Sequence, residues 1–428
     1  MNFLRFWLPL AVTLGLAASC GGSGGSGGSG GQSASSSSSS SGSSGSSCLA
    51  GALLADLGVG HLMVGASMDD ATAAATPFDG RYRYLSGGIF DSATPCASCA
   101  SGCTAGGLSC ANTAGCGWWG CWQYDQVPPG EYVSGFVGTA KGDQQIPMFT
   151  YYEALQASGV AEGVAEVAAV NDAAFLTRYL NDFRFLLQRI GGARALVHIE
   201  PDFWGYAQHA GEDPHALPAA VKGANPADCS AEEDSVAGLG RCMIAMVRKH
   251  APAARVGLHA SAWGTGYDAL GNSNPDFDVA GEAQKLGAFL LAAGAGEGDF
   301  IVADMSDRDA GWYQAYGKET WWDETNATLP NFHQAFTWAK ALAEKVNKPI
   351  VWWQIPVGNA SLSNGGQTWK DNRVDYLFAH LGEVAAAHGA GLFFGAGNTE
   401  QTTPETDGGN LAAKVASYAD QGGQAACP

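Results

Sequence analysis

The stretch that decides the fold is Ala195-Leu196-Val197-His198-Ile199-Glu200-Pro201-Asp202-Phe203-Trp204. It is an apolar run that delivers a histidine, two acidic residues and a tryptophan within a few positions of its end. Similar short apolar runs recur along the chain, and the later ones are each followed by a segment with helical periodicity. This alternation is typical of an α/β fold of the (β/α)8 TIM-barrel type, in which functional side chains lie where the strands end.

Eight apolar runs predict eight buried parallel strands, because the runs are short, rich in Val, Ile and aromatic residues, and mostly not alternating. The predicted strands are 61–66, 82–85, 147–152, 195–200, 255–259, 300–304, 349–354 and 391–395. Apolar spacing predicts helices at 172–190, 234–250, 280–293, 331–346, 374–388 and 409–418. An open doubly wound sheet is the alternative, but the absence of a glycine-rich phosphate loop favours a closed barrel with long βα loops.

The first 47 residues are predicted to lie outside the fold. Residues 1–19 have the pattern of a signal peptide, since Arg5 precedes an apolar stretch that is too short to span a bilayer. Ala17-Ala18-Ser19-Cys20 resembles a bacterial lipoprotein signal, which implies lipidation of Cys20; an ordinary secretory signal is the alternative. Residues 20–47 would then form a flexible Gly/Ser linker to a barrel domain at 48–428. Both alternatives predict export to the bacterial cell envelope or the medium.

The charge balance limits the partners. Lys plus Arg total 22 and Asp plus Glu total 41, which gives a net charge of −19. Such an acidic surface repels phosphate backbones, so we expect no nucleic-acid partner and a neutral or cationic substrate. We expect a monomer that needs no cofactor and that contacts a membrane only through the lipid anchor.

The cysteine pattern predicts disulfides. Of the 11 cysteines, six lie within 26 residues of a predicted insert at 91–125: Cys96, Cys99, Cys103, Cys110, Cys116 and Cys121. A zinc site is the alternative, but no histidine lies between the first and last of these cysteines, and an exported chain favours disulfides. Sequence does not decide how the six pair. Cys229 and Cys242 are predicted to close one loop, and Cys48 with Cys427 could join the two ends of the domain.

The predicted strand ends carry carboxylates and aromatic side chains, a combination that suits the cleavage of glycosidic bonds. That reaction needs one carboxyl group as an acid and a second as a base or nucleophile, while aromatic rings offer an apolar surface to the sugars. The candidate catalytic residues are Asp202, Glu200, Asp304 and Asp407. The candidate substrate-binding residues are His198, Trp204, His259, Trp263, Asp307, Arg308, Trp312, Tyr151, Trp353 and Gln354.

One motif resembles a known family. Ile199-Glu200-Pro201-Asp202 is similar to the signature of the family six cellulases, and this resemblance implies that Asp202 is the general acid of an inverting mechanism acting on a β-glucan. Asp407-Gly408 is similar in place and local sequence to the proposed base motif of that family. The resemblance covers only these short motifs. The barrel of that family is distorted and short of a strand, and its other motifs are not evident in this chain.

The seventh strand argues against a retaining mechanism. In the large clan of retaining barrel glycosidases, a glutamate ending strand four pairs with one ending strand seven, and Glu200 could take the first place. Gln354 stands in the second place, where a neutral amide cannot act as a nucleophile.

A cluster of charged residues follows the sixth strand, where Asp304, Asp307 and Asp309 lie close to Arg308 in the sequence. This cluster offers either a catalytic base, for which Asp304 is the best candidate, or a structural ion-pair network.

Two other functions compete with an exported glycoside hydrolase. The first is a carbohydrate-binding lipoprotein on a barrel that has lost its activity. The second is a metal-dependent hydrolase, because His198 and His259 end neighbouring predicted strands near Glu200 and Asp304. A histidine on a strand is more often a hydrogen-bonded orienting group than a ligand, so we expect no metal.

Overall fold

The protein is described here by a computed structural model, which covers residues 48–90, 104–105, 108–109, 121–124, 127–397 and 400–427. Eight strands form one parallel sheet. They are β1 (Met63–Ala66), β2 (Gly80–Leu85), β3 (Ile146–Tyr151), β4 (Leu196–Ile199), β5 (Arg255–His259), β6 (Phe300–Asp304), β7 (Ile350–Ile355) and β8 (Gly389–Phe394). Each of the eight predicted runs overlaps one of these strands.

The sheet closes on itself, which confirms the predicted barrel. Each strand pairs in parallel with its neighbours in the chain, and β8 pairs with β1 to complete the ring. The registers at the centre place Leu196 beside both Met148 and Arg255. Parallel closure buries both faces of every strand, which explains why the strand sequences are almost continuously apolar. It also brings all eight carboxyl ends to one mouth.

Helices cover the outside of the barrel or decorate its loops. They are α1 (Ala50–Leu57), α2 (Asp70–Ala75), α3 (Glu131–Gly142), α4 (Ala154–Ser158), α5 (Val164–Ala169), α6 (Ala173–Ile190), α7 (Phe203–Ala210), α8 (Val221–Ala224), α9 (Val236–His250), α10 (Val279–Ala292), α11 (Ala310–Ala315), α12 (Phe332–Val346), α13 (Arg373–Ala379), α14 (Leu381–Ala386) and α15 (Asn410–Asp420). The long helices begin at side-chain caps: Asp172 accepts hydrogen bonds from the first turn of α6, and Ser235 does so for α9.

One predicted helix is divided in two. The sequence pattern predicts a single helix over 374–388, whereas α13 ends before His380 and α14 begins after it. His380 leaves the helical conformation, and its Nδ1 lies 2.9 Å from a carboxylate oxygen of Glu383. This local contact at the start of α14 competes with the continuation of α13. In the described part of the chain, no helix has the length and apolar character needed to cross a bilayer.

Disulfides join the ends of the barrel domain and close one loop. Cys48 is bonded to Cys427, and Cys229 is bonded to Cys242, as predicted. Cys121 is also disulfide-bonded. The other five cysteines of the insert, most of 91–125 and the whole of 1–47 with Cys20 lie outside the described residues. Within the insert, Thr104–Ala105 pairs antiparallel with Leu108–Ser109.

Candidate active site

A chain of polar contacts crosses the barrel interior from β3 to β6. Thr150 Oγ1 lies 3.1 Å from His198 Nδ1, and His198 Nε2 lies 3.0 Å from His259 Nδ1. His259 Nε2 in turn lies 3.4 Å from a carboxylate oxygen of Asp304. Four consecutive strands therefore contribute one side chain each. Both histidines are buried, and about a quarter of the Asp304 side chain (26%) is exposed.

Burial keeps one histidine of this chain neutral. Desolvation, with a smaller contribution from the charge of His259, holds the pKa of His198 well below its usual value, so His198 is neutral. A neutral imidazole donates from one ring nitrogen and accepts at the other, so His198 links Thr150 to His259 in either tautomer. The far nitrogen of His259, Nε2, faces Asp304. The chain thus fixes the orientation of the Asp304 carboxylate at the mouth.

Asp202 lies at the same mouth, just after β4. Its backbone adopts a left-handed conformation with φ of 68°, and its Oδ2 accepts a hydrogen bond of 3.1 Å from the Tyr152 hydroxyl. Burial and, to a smaller extent, the charge of Asp304 raise the pKa of Asp202, while His259 and Tyr152 lower it. The net result is a pKa of about 6. Asp202 and Asp304 are therefore close enough for their charges to interact. A carboxyl group with a raised pKa thus lies near a second carboxyl group that contacts a histidine.

The floor of the mouth is aromatic. The Trp353 ring from β7 contacts the rings of His198 and His259, at centroid distances of 4.8 and 5.8 Å, and those of Tyr82 and Tyr84. Side chains from β2, β4, β5 and β7 can meet only inside a barrel, so these contacts identify the interior face of each strand.

Gln354 follows Trp353 and turns to the same side. Its backbone is left-handed with φ of 54°, and its Oε1 accepts a hydrogen bond from the Tyr84 hydroxyl. Gly397 leaves room for it, since a Cβ on Gly397 would lie 2.2 Å from Gln354 Nε2 and 2.4 Å from the Asp307 carbonyl oxygen. The side chain at the end of β7 is therefore a neutral amide whose oxygen is already bonded.

Aromatic groups also follow β5 and β6. Trp263 is half-buried and contacts the rings of Tyr206 and His209, at 4.7 and 5.3 Å. Beyond β6, Arg308 bonds Asp307 and lies over the Trp312 ring at 5.0 Å. The predicted residues Asp304, Asp307, Arg308 and Trp312 therefore lie on one loop, where Asp307 takes part in an ion pair.

Glu200 lies on the other side of the sheet from the mouth. Its backbone has a φ of 50°, and its Oε1 accepts three hydrogen bonds: from the Tyr179 hydroxyl of α6 at 2.7 Å and from the backbone N–H groups of Glu153 and Ala154 at 3.1 Å each. Burial raises its pKa to about 7. The left-handed backbone turns this carboxyl toward the helical layer, so its placement does not support the expected catalytic role.

Tyr151 and Trp204 also lie outside the barrel interior. Both are fully buried. The Tyr151 hydroxyl donates to Asp182 of α6 at 3.0 Å, and the Trp204 indole N–H donates to the Ile199 carbonyl at 3.0 Å. A side chain that is packed beneath helices offers no surface to a sugar. We therefore do not retain either residue in the substrate site.

Asp407 acts as a helix cap. One carboxylate oxygen accepts from the Gly409 N–H and the other from the Leu411 N–H, each at 2.7 Å, at the start of α15. Asp407 is fully buried, and the charge that raises its pKa besides burial is that of Glu405. Both oxygens are thus occupied in a structural role, and this placement favours Asp304 over Asp407 as the base.

Asp309, which the sequence groups with Arg308, is also structural. It accepts hydrogen bonds of 2.9 Å from the N–H groups of Gly358 and Thr402, and thereby ties the loops after β6, β7 and β8 together. The ion-pair partner of Arg308 is instead Asp307.

Three site residues are absent from the sequence-based candidates: Thr150, Tyr152 and Tyr84. The signal that could have found them is the two-residue period of a strand. Thr150 and Tyr152 face the interior because Tyr151 between them faces the helices. Once His198 is assigned to the interior, the register of β3 with β4, which pairs Thr150 with His198, identifies Thr150.

Among the described residues, no group of three or more His, Cys, Asp or Glu side chains is arranged to hold a metal ion. His198 and His259 bond to each other instead of converging on a common point.

The fold and the site define a (β/α)8-barrel protein with carboxyl, histidine and aromatic side chains at its mouth. No protein-family model and no curated protein matches the chain. A modular endo-β-1,4-mannanase from Cellulomonas fimi shares the architecture at 11% identity and a TM-score of 0.47, covering 88% of this chain and 74% of the mannanase. A D-allulose 3-epimerase from Methylomonas sp. is similar at 13% identity and a TM-score of 0.37, covering 84% of this chain and 98% of the epimerase.

The endoglucanase Cel6 from Mycobacterium tuberculosis gives 12% identity and a TM-score of 0.28 over 52% of this chain. The chain spans 55% of the length of that endoglucanase. The complete ring of eight strands departs from the shortened barrel of the family six cellulases.

Proposed function

We propose that this protein is a glycoside hydrolase that cleaves a polysaccharide with Asp202 as general acid and Asp304 as general base. The observation that carries the proposal is the convergence of these two carboxyl groups from β4 and β6 at one barrel mouth. Their environments differ in the way that glycoside cleavage requires, because Asp202 is desolvated and Asp304 is held by His259.

The role of Asp202 follows from its pKa of about 6. A carboxyl with this pKa is largely protonated under mildly acidic conditions and can donate to the leaving glycosidic oxygen. The Tyr152 hydroxyl bonds one oxygen of Asp202, which fixes the direction of the carboxyl and also stabilises the anion that remains after proton transfer.

The role of Asp304 follows from its ion-pair contact with the buried histidine pair. An oriented carboxylate can remove a proton from a water molecule as that water attacks the anomeric carbon. The water attacks from the face opposite the leaving group, so the configuration of the product is inverted. The amide at Gln354 supports inversion, because a retaining barrel enzyme would need an anionic nucleophile at that position.

The aromatic and amide groups at the mouth suit a neutral sugar polymer. The Trp353 floor and the ring of Trp263 suit the apolar faces of pyranose units, while the Gln354 amide N–H group suits a sugar hydroxyl. The resemblance to the family six cellulases favours a β-glucan. The chain would act outside the cytoplasm, held to a membrane by a lipid on Cys20, and the two disulfides Cys48–Cys427 and Cys229–Cys242 are consistent with an oxidising compartment.

The test is cleavage of a panel of purified polysaccharides, including a β-1,4-glucan and a β-1,4-mannan, with the anomers of the fresh product recorded by NMR. We expect reducing ends to be released from at least one polymer, and we expect the first anomer detected to have the opposite configuration to the cleaved bond. Products of unchanged configuration would refute the assigned roles. Tight binding of a polymer without any product would instead favour the non-catalytic carbohydrate-binding alternative.

A further inference from the structure

The loop after β6 carries an exposed pair of stacked aromatic rings, Trp312 and Tyr316. Their centroids are 4.4 Å apart with an interplanar angle of 35°. Tyr316 has 59% of its surface exposed, which is high for a large aromatic residue, whereas Trp312 is half-buried beneath it. We call Trp312 and Tyr316 the rim platform.

The rim platform is continuous with the mouth. Trp312 lies in α11 and Tyr316 directly follows that helix, which comes after the segment that runs from Asp304 through Asp307 and Arg308. Arg308 lies over the Trp312 ring and bonds Asp307, whose carbonyl oxygen borders Gly397 and thereby the Gln354 amide. A polymer that leaves the mouth on the β6 side would therefore meet this platform.

The helix that leads to the rim platform is anchored to neighbouring loops at its start. The Gly311 N–H donates to the Lys370 carbonyl at 2.8 Å, and a Cβ on Gly311 would lie 2.4 Å from Asn364 Oδ1. Asp309, immediately before α11, ties the neighbouring loops together through Gly358 and Thr402. A preformed surface loses little entropy when it binds a ligand.

The electrostatics favour a neutral sugar. The Arg308 guanidinium is already paired with Asp307, and the charge of Glu400 also acts on it. An anionic sugar would compete with these carboxylates and would meet the negative field of the whole protein, whose net charge is −19. An uncharged pyranose ring could instead place its C–H face on the exposed side of Tyr316.

We propose that the rim platform binds a neutral β-1,4-linked hexose unit of the substrate, remote from the bond that is cleaved. This inference rests on the proposed function, since it assigns a second position of the same polysaccharide site. An equatorially linked β-1,4 chain is extended, and can therefore reach from the mouth to a separate surface. The enzyme would then favour long chains over short ones.

The experiment measures binding by calorimetry in the full chain carrying Asp202→Asn, so that the ligand is not consumed. The probes are cellohexaose and mannohexaose, each compared with its disaccharide. Adding Tyr316→Ala should weaken hexasaccharide binding by about 3- to 10-fold, the loss expected for one ring contact, and leave disaccharide binding unchanged. Adding Tyr316→Phe should preserve the affinity, because the ring and not the hydroxyl makes the contact.

Tyr267 provides a matched control. It also has 59% of its surface exposed and lies on the neighbouring loop after β5, but its ring contacts Phe277 and not Trp312 or Tyr316. Tyr267→Ala should leave both affinities unchanged. The inference is overturned if Tyr316→Ala has no effect, if it weakens disaccharide and hexasaccharide equally, if Tyr267→Ala has the same effect, or if neither hexasaccharide binds. The release of product from the polysaccharide panel tests the proposed function separately.

Discussion

Strand β4 leads to two acidic residues, Asp202 and Glu200, that lie on opposite sides of the barrel wall. Burial raises the pKa of both, to about 6 for Asp202 and about 7 for Glu200. Asp202 faces the mouth, where Asp304 and His259 act on it, whereas Glu200 faces α6 and bonds Tyr179. Carboxyl groups with a raised pKa therefore lie on both sides of the barrel wall, and only those at the mouth are accessible to a substrate.

The outer side contains more than one such acid. Burial raises the pKa of Glu153 well above its usual value and that of Glu166 to about 8. Glu153 accepts hydrogen bonds from the Gly87 and Gly88 N–H groups and from the Trp122 indole, so it anchors the end of the cysteine-rich insert to β3. The Glu153 carboxylate thus holds segments of the protein together, whereas the mouth carboxyl groups are placed to react.

The largest expected effect is the loss of activity in Asp202→Asn. The amide keeps the shape of the side chain but cannot donate a catalytic proton, so we expect polysaccharide cleavage to fall by about 10²- to 10⁴-fold. Initial rates of reducing-end release measure this. A substrate with a dinitrophenyl leaving group, which needs no proton, should be much less affected. Wild-type rates in the folded variant would remove Asp202 from the mechanism.

A smaller effect is expected for His259→Asn, which interrupts the chain between His198 and Asp304. Loss of one orienting hydrogen bond should lower kcat on the order of 10-fold. Because His259 lowers the pKa of Asp202, its removal should also move the alkaline limb of the pH profile to higher pH. A lower rate with an unmoved limb would indicate only a structural role.

Glu200→Gln should change stability and its pH dependence more than activity. The folded protein holds the Glu200 proton up to about pH 7, whereas the unfolded chain releases it near its ordinary value, so wild-type stability falls as pH rises from about 4.5 to 7. The amide removes this loss of stability, which is on the order of 3 kcal/mol above pH 7. Urea unfolding at pH 5 and pH 8 measures it. The same pH dependence in variant and wild type would show that Glu200 does not titrate as inferred.

Asp407→Ala should have the smallest effect. Loss of the cap on α15 should lower the free energy of unfolding by about 1 kcal/mol and leave kcat within a few-fold of the wild-type value. Thermal melts and initial rates on the same preparation check both quantities. If cleavage disappeared from a folded Asp407→Ala protein, Asp407 and not Asp304 would be the base.

The sequence predicts the barrel well because its signals are local. Short apolar runs and helical periodicity identify all eight strands, and the one divided helix depends on a side-chain contact of His380 that periodicity does not include. The direction in which a side chain points after the end of a strand is not predicted in this way, because it depends on the backbone angles of a single residue. The left-handed conformations of Glu200, Asp202 and Gln354 decide which of them reach the mouth, and no residue pattern predicts them.

The most direct test of the account is the pH profile of polysaccharide cleavage by wild-type protein and by Glu200→Gln. If the mouth carboxyl Asp202 is the acid, the rate should fall above about pH 6 in both proteins, and the midpoint in Glu200→Gln should at most be slightly lower, because the charges of Asp202 and Glu200 act on each other. A profile whose alkaline limb disappears in Glu200→Gln would contradict the account, because the titration that controls catalysis would then belong to the outer side of the barrel wall.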